Sequence, residues 1–440
     1  MLPLLLIVTL RIGVQAIKDG EMELLLVQAM WRHGDRSPTR TYKNDPIREA
    51  NWTFGGGGWG QLTPIGMRQM YNLGKSIRQK YIDSGFLSKQ YSSKEIYIRS
   101  TDVNRTIISA MCNTMGMYGD TGNAGTDYPS DSNWLAGYTP IPVHTTFNDA
   151  GIHGRCKRRM QLWELAKASR ELQDYKNSED VSNLLEFLKE KSGETIGLDN
   201  VHDVRDPLYI EQIHFKEALK DVAPWFSDAV FDNITKLYDQ TIRYRSGLFD
   251  SKIVVNGLDI GHELMRIRGG AFINELVTRM NHKFDCRDSN EAGCKWINGL
   301  KYYAYSVHDA TVFQLFAIMG IERKVIIPGV FPEYSAAAFI ELWYNKTDNQ
   351  PYFKILYRAN ETSSIYPVTE KINECVGKEY CSLQVFRDFA EKVKLHKSVS
   401  ELCDEDPIGE AGPISKSSFA KSSFQVSLSS TAVLLTWMML

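Results

Sequence analysis

A short segment near the N-terminus places two arginines close to a histidine. Arg32, His33 and Arg36 follow an apolar run at residues 24–27. The guanidinium group is a planar fork of donors that matches phosphate oxygens, and a neutral imidazole can act as a nucleophile. Guanidinium groups next to a protonated imidazole repel it, and a bound dianion relieves that repulsion. The segment therefore predicts a phosphate site that carries its own nucleophile.

Two later segments place similar side chains at the ends of predicted strands. Arg99 follows a short strand at residues 96–98, and His308 and Asp309 follow an aromatic strand at residues 301–307. Ligands of open α/β sheets bind beyond the carboxyl ends of the strands. We therefore expect all three segments to meet at one edge of the sheet, although they span most of the chain.

The chemistry that suits these side chains is the hydrolysis of a phosphomonoester. That reaction needs an in-line nucleophile and a proton for the leaving alcohol. We expect His33 to attack phosphorus and form a phosphohistidine. Asp309 is expected to protonate the leaving oxygen and afterwards to help water attack. Because nearby arginines should lower the pKa of His33 and keep its ring neutral, we expect an acid pH optimum.

The other candidate residues are expected to bind the phosphate group. They are Arg32, Arg36, Arg99 and His308. Guanidinium groups hold the phosphate oxygens and stabilise the charge of the transition state, so neither a metal nor another cofactor is expected. No cysteine pair has the spacing of a zinc site with histidines nearby.

Each candidate also has a plainer interpretation. Arg32 and Arg36 could be solvated loop charges, and Arg99 alone would be an ordinary surface charge. A histidine such as His33 is often a buried residue with a satisfied ring. Asp309 after His308 could simply cap a helix. Two features favour the catalytic interpretation. His33, Gly34 and Pro38 accompany the two arginines in the first segment, and His308-Asp309 stands at the end of a strand.

The order of predicted elements indicates an α/β fold with a helical insertion. A strand at residues 23–31 precedes a helix that opens at Thr63 and Pro64, and a helix at residues 103–118 follows the second strand. Residues 156–250 have helical periodicity and no strand signals. The α/β pattern then resumes, with two late strands at 336–344 and 352–359 that resemble a hairpin.

Composition and the two ends of the chain indicate a secreted globular protein. The 440 residues are 43% apolar with a net charge of −2, and no basic run suggests nucleic acid as a partner. Residues 1–16 predict a signal peptide that is cleaved after Ala16. Residues 427–440 are apolar and follow a polar spacer, which is typical of a lipid-anchor signal; a short membrane anchor and a disordered tail are the alternatives.

Cysteines and glycosylation motifs agree with an oxidising compartment. The chain has seven cysteines, for which disulfides are the expected state after secretion. Five Asn-x-Thr sequons begin at Asn51, Asn104, Asn233, Asn345 and Asn360.

These motifs together resemble the histidine acid phosphatases, and within them the prostatic and lysosomal branch. The resemblance rests on residues 32–38 (Arg-His-Gly-Asp-Arg-Ser-Pro) and on His308-Asp309. It extends to four further segments, at residues 60–67, 97–106, 140–144 and 206–209. The second of these includes Arg105 and Thr106. The likeness covers about residues 22–405.

The resemblance implies a three-layer α/β domain like that of phosphoglycerate mutase, with a smaller helical cap. The domain would span residues 17–405, with its α/β core at about 17–150 and 251–405 and the cap at about 151–250; residues 406–440 would hold the spacer and anchor signal. It implies metal-free hydrolysis at acid pH, with His33 as nucleophile and Asp309 as proton donor. Arg32, Arg36, Arg99 and His308 would bind phosphate.

The resemblance also suggests how the cysteines pair. Cys156 with Cys403 and Cys375 with Cys381 fall at positions that are bridged in the family, and Cys286 with Cys294 is expected to pair locally. Cys112 is left over and is expected to be buried and free. A third family bridge is lost from both sides, because Ile210 and Ala337 occupy its positions.

The sequence therefore predicts an acid phosphatase that acts on small phosphomonoesters. We expect it in the secretory pathway, outside the cell or on its surface, or in lysosomes, with a membrane anchor at its C-terminus and pairing into homodimers as a weaker expectation. The enzyme alternatives are a phytase-like or inositol-polyphosphate phosphatase and a lysophosphatidic acid phosphatase. A catalytically idle surface-binding module on the same fold is the alternative from another class.

Overall fold

The computed structural model describes residues 21–135, 137–146, 156–327, 329 and 331–407. The predicted signal peptide lies outside these residues, as do the apolar tail and most of the spacer before it. No helix among the described residues is long and apolar enough to cross a membrane.

Strands and helices alternate through the first and last thirds of the chain, as the sequence predicts. The strands are β1 (Met22–Arg32), β2 (Ile96–Thr101), β3 (His144–Thr146), β4 (Val254–Val255), β5 (Leu258–Asp259), β6 (Tyr302–Val307), β7 (Ala337–Asn345), β8 (Gln350–Arg358), β9 (Tyr366–Pro367) and β10 (Cys381–Ser382). The α/β fold class is confirmed.

Helices form most of the remaining chain. They are α1 (Pro64–Ile77), α2 (Asn104–Tyr118), α3 (Lys157–Lys167), α4 (Arg170–Asn177), α5 (Glu179–Ser192), α6 (His202–His214), α7 (Lys216–Val222), α8 (Asp228–Arg245), α9 (Ile260–Met265), α10 (Ala271–Cys286), α11 (Lys295–Gly299), α12 (Asp309–Ile318), α13 (Glu322–Val325), α14 (Leu383–Lys392) and α15 (Val399–Asp404).

One mixed sheet organises the described part of the molecule. Its order is β10-β8-β7-β1-β6-β2-β3, and β9 pairs with β8. β1, β6, β2 and β3 run parallel to one another, whereas β7 is antiparallel to β1 and forms the predicted hairpin with β8. The carboxyl ends of β1, β6 and β2 therefore lie side by side, which is where the candidate residues follow.

Both faces of the sheet are covered, because side chains of β1 alternate between two cores. Leu26 and Met30 pack into the cluster that contains α10 and α12. Val27, Ala29 and Trp31 pack on the other side with α1 and α2. The central strand is thus buried on both faces, and its end is held rigidly between two layers of helices.

The insertion between β3 and β4 is helical and supplies most of one buried cluster. Helices α3 to α8 follow one another between Lys157 and Arg245. Leu162, Leu188, Leu208 and Ile234 belong to one buried cluster there. The helical content agrees with the predicted insertion, and its division from the sheet as a separate cap stays a prediction.

All three predicted disulfides are present. Cys156 is bonded to Cys403, Cys286 to Cys294 and Cys375 to Cys381. Cys112 is free and buried, as predicted. The first bridge joins the start of α3 to α15, near the end of the described chain, and so ties two distant segments together.

Candidate active site

The first candidate segment begins at the last residue of β1. Arg32 is buried, and its Nη1 donates to the carbonyl of Pro332 at 2.8 Å. Its Nε lies 3.2 Å from Oδ2 of Asp309, at the start of α12. The ring of Tyr334 lies beneath its guanidinium, 4.1 Å from Cζ. Arg32 therefore joins the ends of the adjacent parallel strands β1 and β6.

His33 is buried next to this arginine, and its hydrogen bond defines its tautomer. Nδ1 lies 2.8 Å from the carbonyl oxygen of Gly34. A carbonyl can only accept, so Nδ1 carries the hydrogen and Nε2 of the neutral ring has a free lone pair. The rings of His33 and His308 lie 5.5 Å apart, centroid to centroid. Nε2 of His33 is thus available as a nucleophile.

The environment of His33 keeps its ring neutral. Burial disfavours the imidazolium form and lowers the pKa of His33 well below its ordinary value. Among its neighbours, Arg105 lowers this pKa further, followed by Arg32, Arg36 and His308. The direction agrees with the expectation from the sequence.

Arg36 is held in place by an acid from the helical insertion. Its two terminal nitrogens donate to the two carboxylate oxygens of Asp206 at 2.8 and 3.0 Å. Burial opposes the charges of both groups, but their pairing outweighs burial and raises the pKa of Arg36 while lowering that of Asp206. Asp206 lies within the segment 206–209 that carries the family resemblance, although no role was predicted for it.

The third arginine of the cluster is Arg105, not Arg99. Arg105 lies in the first turn of α2, directly after β2. Burial and the charge of Arg36 lower the pKa of Arg105 to about 10, and Asp309 and Asp206 partly oppose that shift. Among the charged groups, Arg105 has the largest effect on the pKa of His33.

The structure places Arg99 away from this cluster, which corrects the prediction that it binds phosphate. Its guanidinium pairs with the carboxylate of Glu275 on α10 at 3.1 and 3.0 Å. The reason is the alternation of the strand: Ile98 points toward the layer of α1 and α2, so Arg99 points to the opposite face. The position of Arg105 could have been predicted, because the first turn of a helix that follows a parallel strand faces the edge of the sheet where ligands bind.

His308 is oriented by a pair of threonine hydroxyls. Its Nε2 lies 3.0 Å from Oγ1 of Thr101, which lies 2.8 Å from Oγ1 of Thr106. The Thr106 hydroxyl is within donating distance of the carbonyls of Val103 and Thr101, at 2.8 and 3.0 Å. Because the Thr106 hydroxyl gives its single proton to one of these carbonyls, the Thr101 hydroxyl donates to Oγ1 of Thr106 and accepts from Nε2 of His308. This short relay fixes the orientation of the ring.

Asp309 remains within reach of solvent. Its side chain is 19% exposed, whereas that of Arg32 is 3% exposed. The remaining oxygen, Oδ1, accepts from the backbone N–H of Ala310 at 2.7 Å. The carboxyl group is therefore anchored on both sides and can still exchange a proton with water.

The loop after β1 is packed tightly against α1. Asp35 is fully buried, accepts a hydrogen bond from the hydroxyl of Thr63 and pairs with Nε2 of His214 at 2.7 Å. A Cβ added to Gly34 would lie 2.3 Å from the carbonyl oxygen of Gly66. Glycine is thus required where loop and helix approach, and Asp35 has a structural role.

An open cavity of about 290 Å³ lies next to Arg32. Its walls include the rings of Tyr209 and Phe331, and its charged lining adds Arg205, Asp239 and Glu333. The cavity is therefore large enough for a small organic group beside the arginine cluster. Among the described residues, no group of three or more His, Cys, Asp or Glu side chains is placed to hold a metal ion.

Residues 23–358 match the model of the histidine phosphatase superfamily, branch 2. The chain belongs to this superfamily. It is 34% identical over 401 residues to "Putative acid phosphatase 10" of Caenorhabditis elegans, covering 88% of this chain and 95% of that one. It is 32% identical over 349 residues to human prostatic acid phosphatase, covering 77% and 78% of the two chains.

Solved structures of the superfamily share the fold. The phytase of Citrobacter braakii matches 87% of this chain and 99% of its own, with a TM-score of 0.59 and 13% sequence identity. At that identity the likeness concerns the architecture alone. The motifs at residues 32–38 and 308–309 lie at neighbouring strand ends of this fold, as the predicted strands indicated.

Proposed function

We propose that the protein is an acid phosphatase that hydrolyses phosphomonoesters through a phosphohistidine on His33. One observation carries the proposal: a neutral imidazole, with its Nε2 lone pair free, lies within a cluster of three arginines. Such a cluster has no evident use without an anion between its members. The relatives that are named as acid phosphatases support the same activity.

In the first step the phosphate group binds among Arg32, Arg36, Arg105 and His308. Nε2 of His33 attacks phosphorus, and the bond from phosphorus to the ester oxygen breaks. The carboxylic acid of Asp309 gives its proton to the leaving oxygen, which departs as an alcohol into the cavity beside Arg32. Guanidinium groups that are already ordered stabilise the charge of the transition state.

In the second step water attacks the phosphohistidine. The carboxylate of Asp309 takes a proton from that water as its oxygen bonds to phosphorus, and the bond to Nε2 of His33 breaks. Inorganic phosphate leaves, and the neutral histidine and the protonated acid are restored. Charge for both steps comes from the arginines, so the mechanism requires no metal.

The pH dependence of this mechanism follows from two protonation states. His33 must be neutral and Asp309 must carry a proton. Because the pKa of His33 is lowered, the nucleophile stays neutral as the pH falls, and the mechanism's need for a proton donor favours the acid side. The proposal therefore places the optimum below neutral pH.

The cavity favours simple monoesters over the phytase-like alternative. Beside Arg32, its charged lining consists of Arg205 and the carboxylates of Asp239 and Glu333. A substrate with several phosphates would bring further negative charge close to those two carboxylates. A leaving group that is neutral or flat suits the aromatic walls formed by Tyr209 and Phe331.

Rates on p-nitrophenyl phosphate, phytate and lysophosphatidate across pH 3–9 test the proposal. We expect the first substrate to be hydrolysed fastest, below pH 7, and the His33→Ala variant to lose nearly all turnover. A phytate rate that exceeds the others would favour the inositol-polyphosphate alternative. Absence of activity on all three substrates would favour the idle binding module.

The same proposal includes a location in the secretory pathway. The three disulfides support it, because such bonds persist in oxidising compartments. Attachment to the cell surface through the C-terminal segment and formation of homodimers belong to the proposal as well. Release by a phosphatidylinositol-specific phospholipase tests the lipid anchor, and sedimentation of the purified protein tests the dimer.

A further inference from the structure

One sequon lies directly beside the phosphate site. Asn104, Arg105 and Thr106 form the motif Asn-x-Thr. Asn104 is the first residue of α2 and is exposed, whereas Thr106 is fully buried. The residue between them supplies the third guanidinium of the cluster. A group attached to Asn104 therefore starts one residue from the catalytic machinery.

Contacts of this segment place Asn104 at the mouth of the site. Its Nδ2 lies 3.4 Å from Oε1 of Gln61. Gln61 in turn pairs with the loop after β1, residues 33–38 (the catalytic loop), because its carbonyl accepts from the backbone N–H of Ser37 at 2.9 Å. A Cβ at Gly60 would lie 3.3 Å from Nη1 of Arg105. Asn104 thus lies where the loop after β1 meets the start of α2.

The folded structure separates the sequons by accessibility. Asn51, Asn104 and Asn233 are exposed. Asn345 is 4% exposed at the end of β7, and its Oδ1 accepts from the backbone N–H of Thr347 at 2.9 Å. A glycan on Asn345 would be forced out of the sheet, whereas one on Asn104 can extend into solvent from the helix end.

We propose that Asn104 carries an N-linked glycan that forms part of the rim of the active site. In the transfer, Nδ2 of Asn104 bonds to C1 of the first sugar of a lipid-linked oligosaccharide. The sugar leaves its lipid diphosphate, and the amide loses one proton. Transfer precedes folding, since the hydroxyl of Thr106 is afterwards buried.

The glycan selects among phosphomonoesters by size. A bulky, hydrated oligosaccharide at the mouth hinders the phosphorylated side chains of folded proteins, and small esters still reach the arginines. This consequence rests on the proposed phosphatase function. The modification itself rests only on the sequon and its exposure.

Mass spectrometry of the protein secreted by eukaryotic cells tests the modification. Enzymatic deglycosylation in H2 18O converts each glycosylated asparagine into aspartate that contains 18O. We expect the label at Asn104 and not at Asn345. Unlabelled Asn104 in the secreted, folded protein would overturn the proposal.

A pair of variants tests the consequence. Asn104→Gln removes the glycan from the rim, and Asn233→Gln removes another exposed sequon, at a separate groove lined by Tyr175 and Phe187. We expect only Asn104→Gln to raise the rate on phosphorylated casein severalfold, with the rate on p-nitrophenyl phosphate unchanged in both. Equal casein rates in the three proteins would overturn the selection by size. Inactivity of all three on p-nitrophenyl phosphate would instead refute the phosphatase function, and the label at Asn104 would still decide the modification.

Discussion

At the scale of residues, the site is a balance of charges around one neutral ring. Arg36 is compensated by Asp206, and Arg32 lies against Asp309. The positive charge near His33 is therefore only partly neutralised within the protein, which suits a site that is completed by a phosphate dianion. The same charge keeps the nucleophile unprotonated in acid.

Substitution of Arg99, which lies within β2, and of Arg105, which follows it in α2, separates the roles of the two arginines. Arg105→Ala should reduce kcat/KM for p-nitrophenyl phosphate about 100-fold or more, as expected when one donor to a transition-state oxyanion is lost. Arg99→Ala should keep most of the activity and instead lower thermal stability, because the partly buried Glu275 loses one of its two arginine partners and keeps only Arg279. The reverse ranking of the two activities would restore Arg99 to the site.

The same arginine should tune the pH profile. Since Arg105 lowers the pKa of His33, its removal raises that pKa, and the acid limb of kcat/KM for Arg105→Ala should move to higher pH. Arg105→Lys keeps the charge and should leave the limb near its wild-type position. An unchanged limb in Arg105→Ala would show that this charge does not act on the nucleophile.

Loss of the Thr101 hydroxyl should reduce activity less than loss of Arg105. Thr101→Val removes the hydroxyl that lies 3.0 Å from Nε2 of His308. Loss of one hydrogen bond should lower kcat about tenfold or less, with KM changed less than kcat if the ring no longer points correctly in the transition state. Thr101→Ser keeps the hydroxyl and should recover the rate. Failure of serine to recover it would indicate a packing role for the methyl group.

At the scale of elements, the site depends on how closely loops and helices approach. Gly34 faces Gly66 at the start of α1. Gly74 of α1 likewise faces Gly116 of α2, and a Cβ added to Gly74 or to Gly116 would lie about 2.1 Å from a backbone oxygen of the other helix. These contacts hold the catalytic loop and the two helices as one layer on the sheet. A rigid layer keeps the arginines in place before the substrate arrives.

A methyl group at this contact should disrupt both folding and catalysis. A Cβ at Gly66 would lie 2.1 Å from the carbonyl oxygen of Asp35, so Gly66→Ala should lower the free energy of unfolding by about 3 kcal/mol. Urea unfolding measures the change. Gly197→Ala is the control, because a Cβ there meets nothing within 4 Å. Equal stabilities of the two variants would contradict the close packing.

The sequence predicts the strands and helices better than it predicts which way individual side chains point. Strong hydrophobic patterns located β1, β6 and the β7–β8 hairpin, because strands buried on one or both faces leave an apolar signature. The direction of Arg99 depends on strand register, and its partner Glu275 lies 176 positions away. The pairing of Arg36 with Asp206 depends in the same way on tertiary docking of α6, which local pattern does not encode.

At the scale of the whole molecule, helix α6 docks the helical insertion on the catalytic loop. Asp206 pairs with Arg36 and His214 pairs with Asp35. Between them, Glu211 is fully buried. Burial, and after it the nearby carboxylate of Asp45, together raise the pKa of Glu211 to about 9. The carboxyl group of Glu211, on helix α6, therefore retains its proton at neutral pH.

This buried acid should make the interface less stable in alkali. A folded-state pKa above the unfolded value gives stability that is complete below about pH 4.5 and is lost as the pH rises toward 9. Glu211→Gln mimics the protonated acid and should be more stable than wild type at pH 8, by on the order of 1–3 kcal/mol, with little difference at pH 4.5. The exposed Glu190→Gln serves as the control. A difference that does not grow with pH would refute this role of Glu211.

The identity of the nucleophile is tested most directly by trapping the phosphorylated enzyme. Wild-type protein is mixed with 32P-labelled p-nitrophenyl phosphate and quenched in alkali, where phosphohistidine is stable, and the labelled peptide is then identified. We predict label on His33 in wild type and none in His33→Ala. Label on another residue, or turnover of His33→Ala at a substantial fraction of the wild-type rate, would contradict the mechanism.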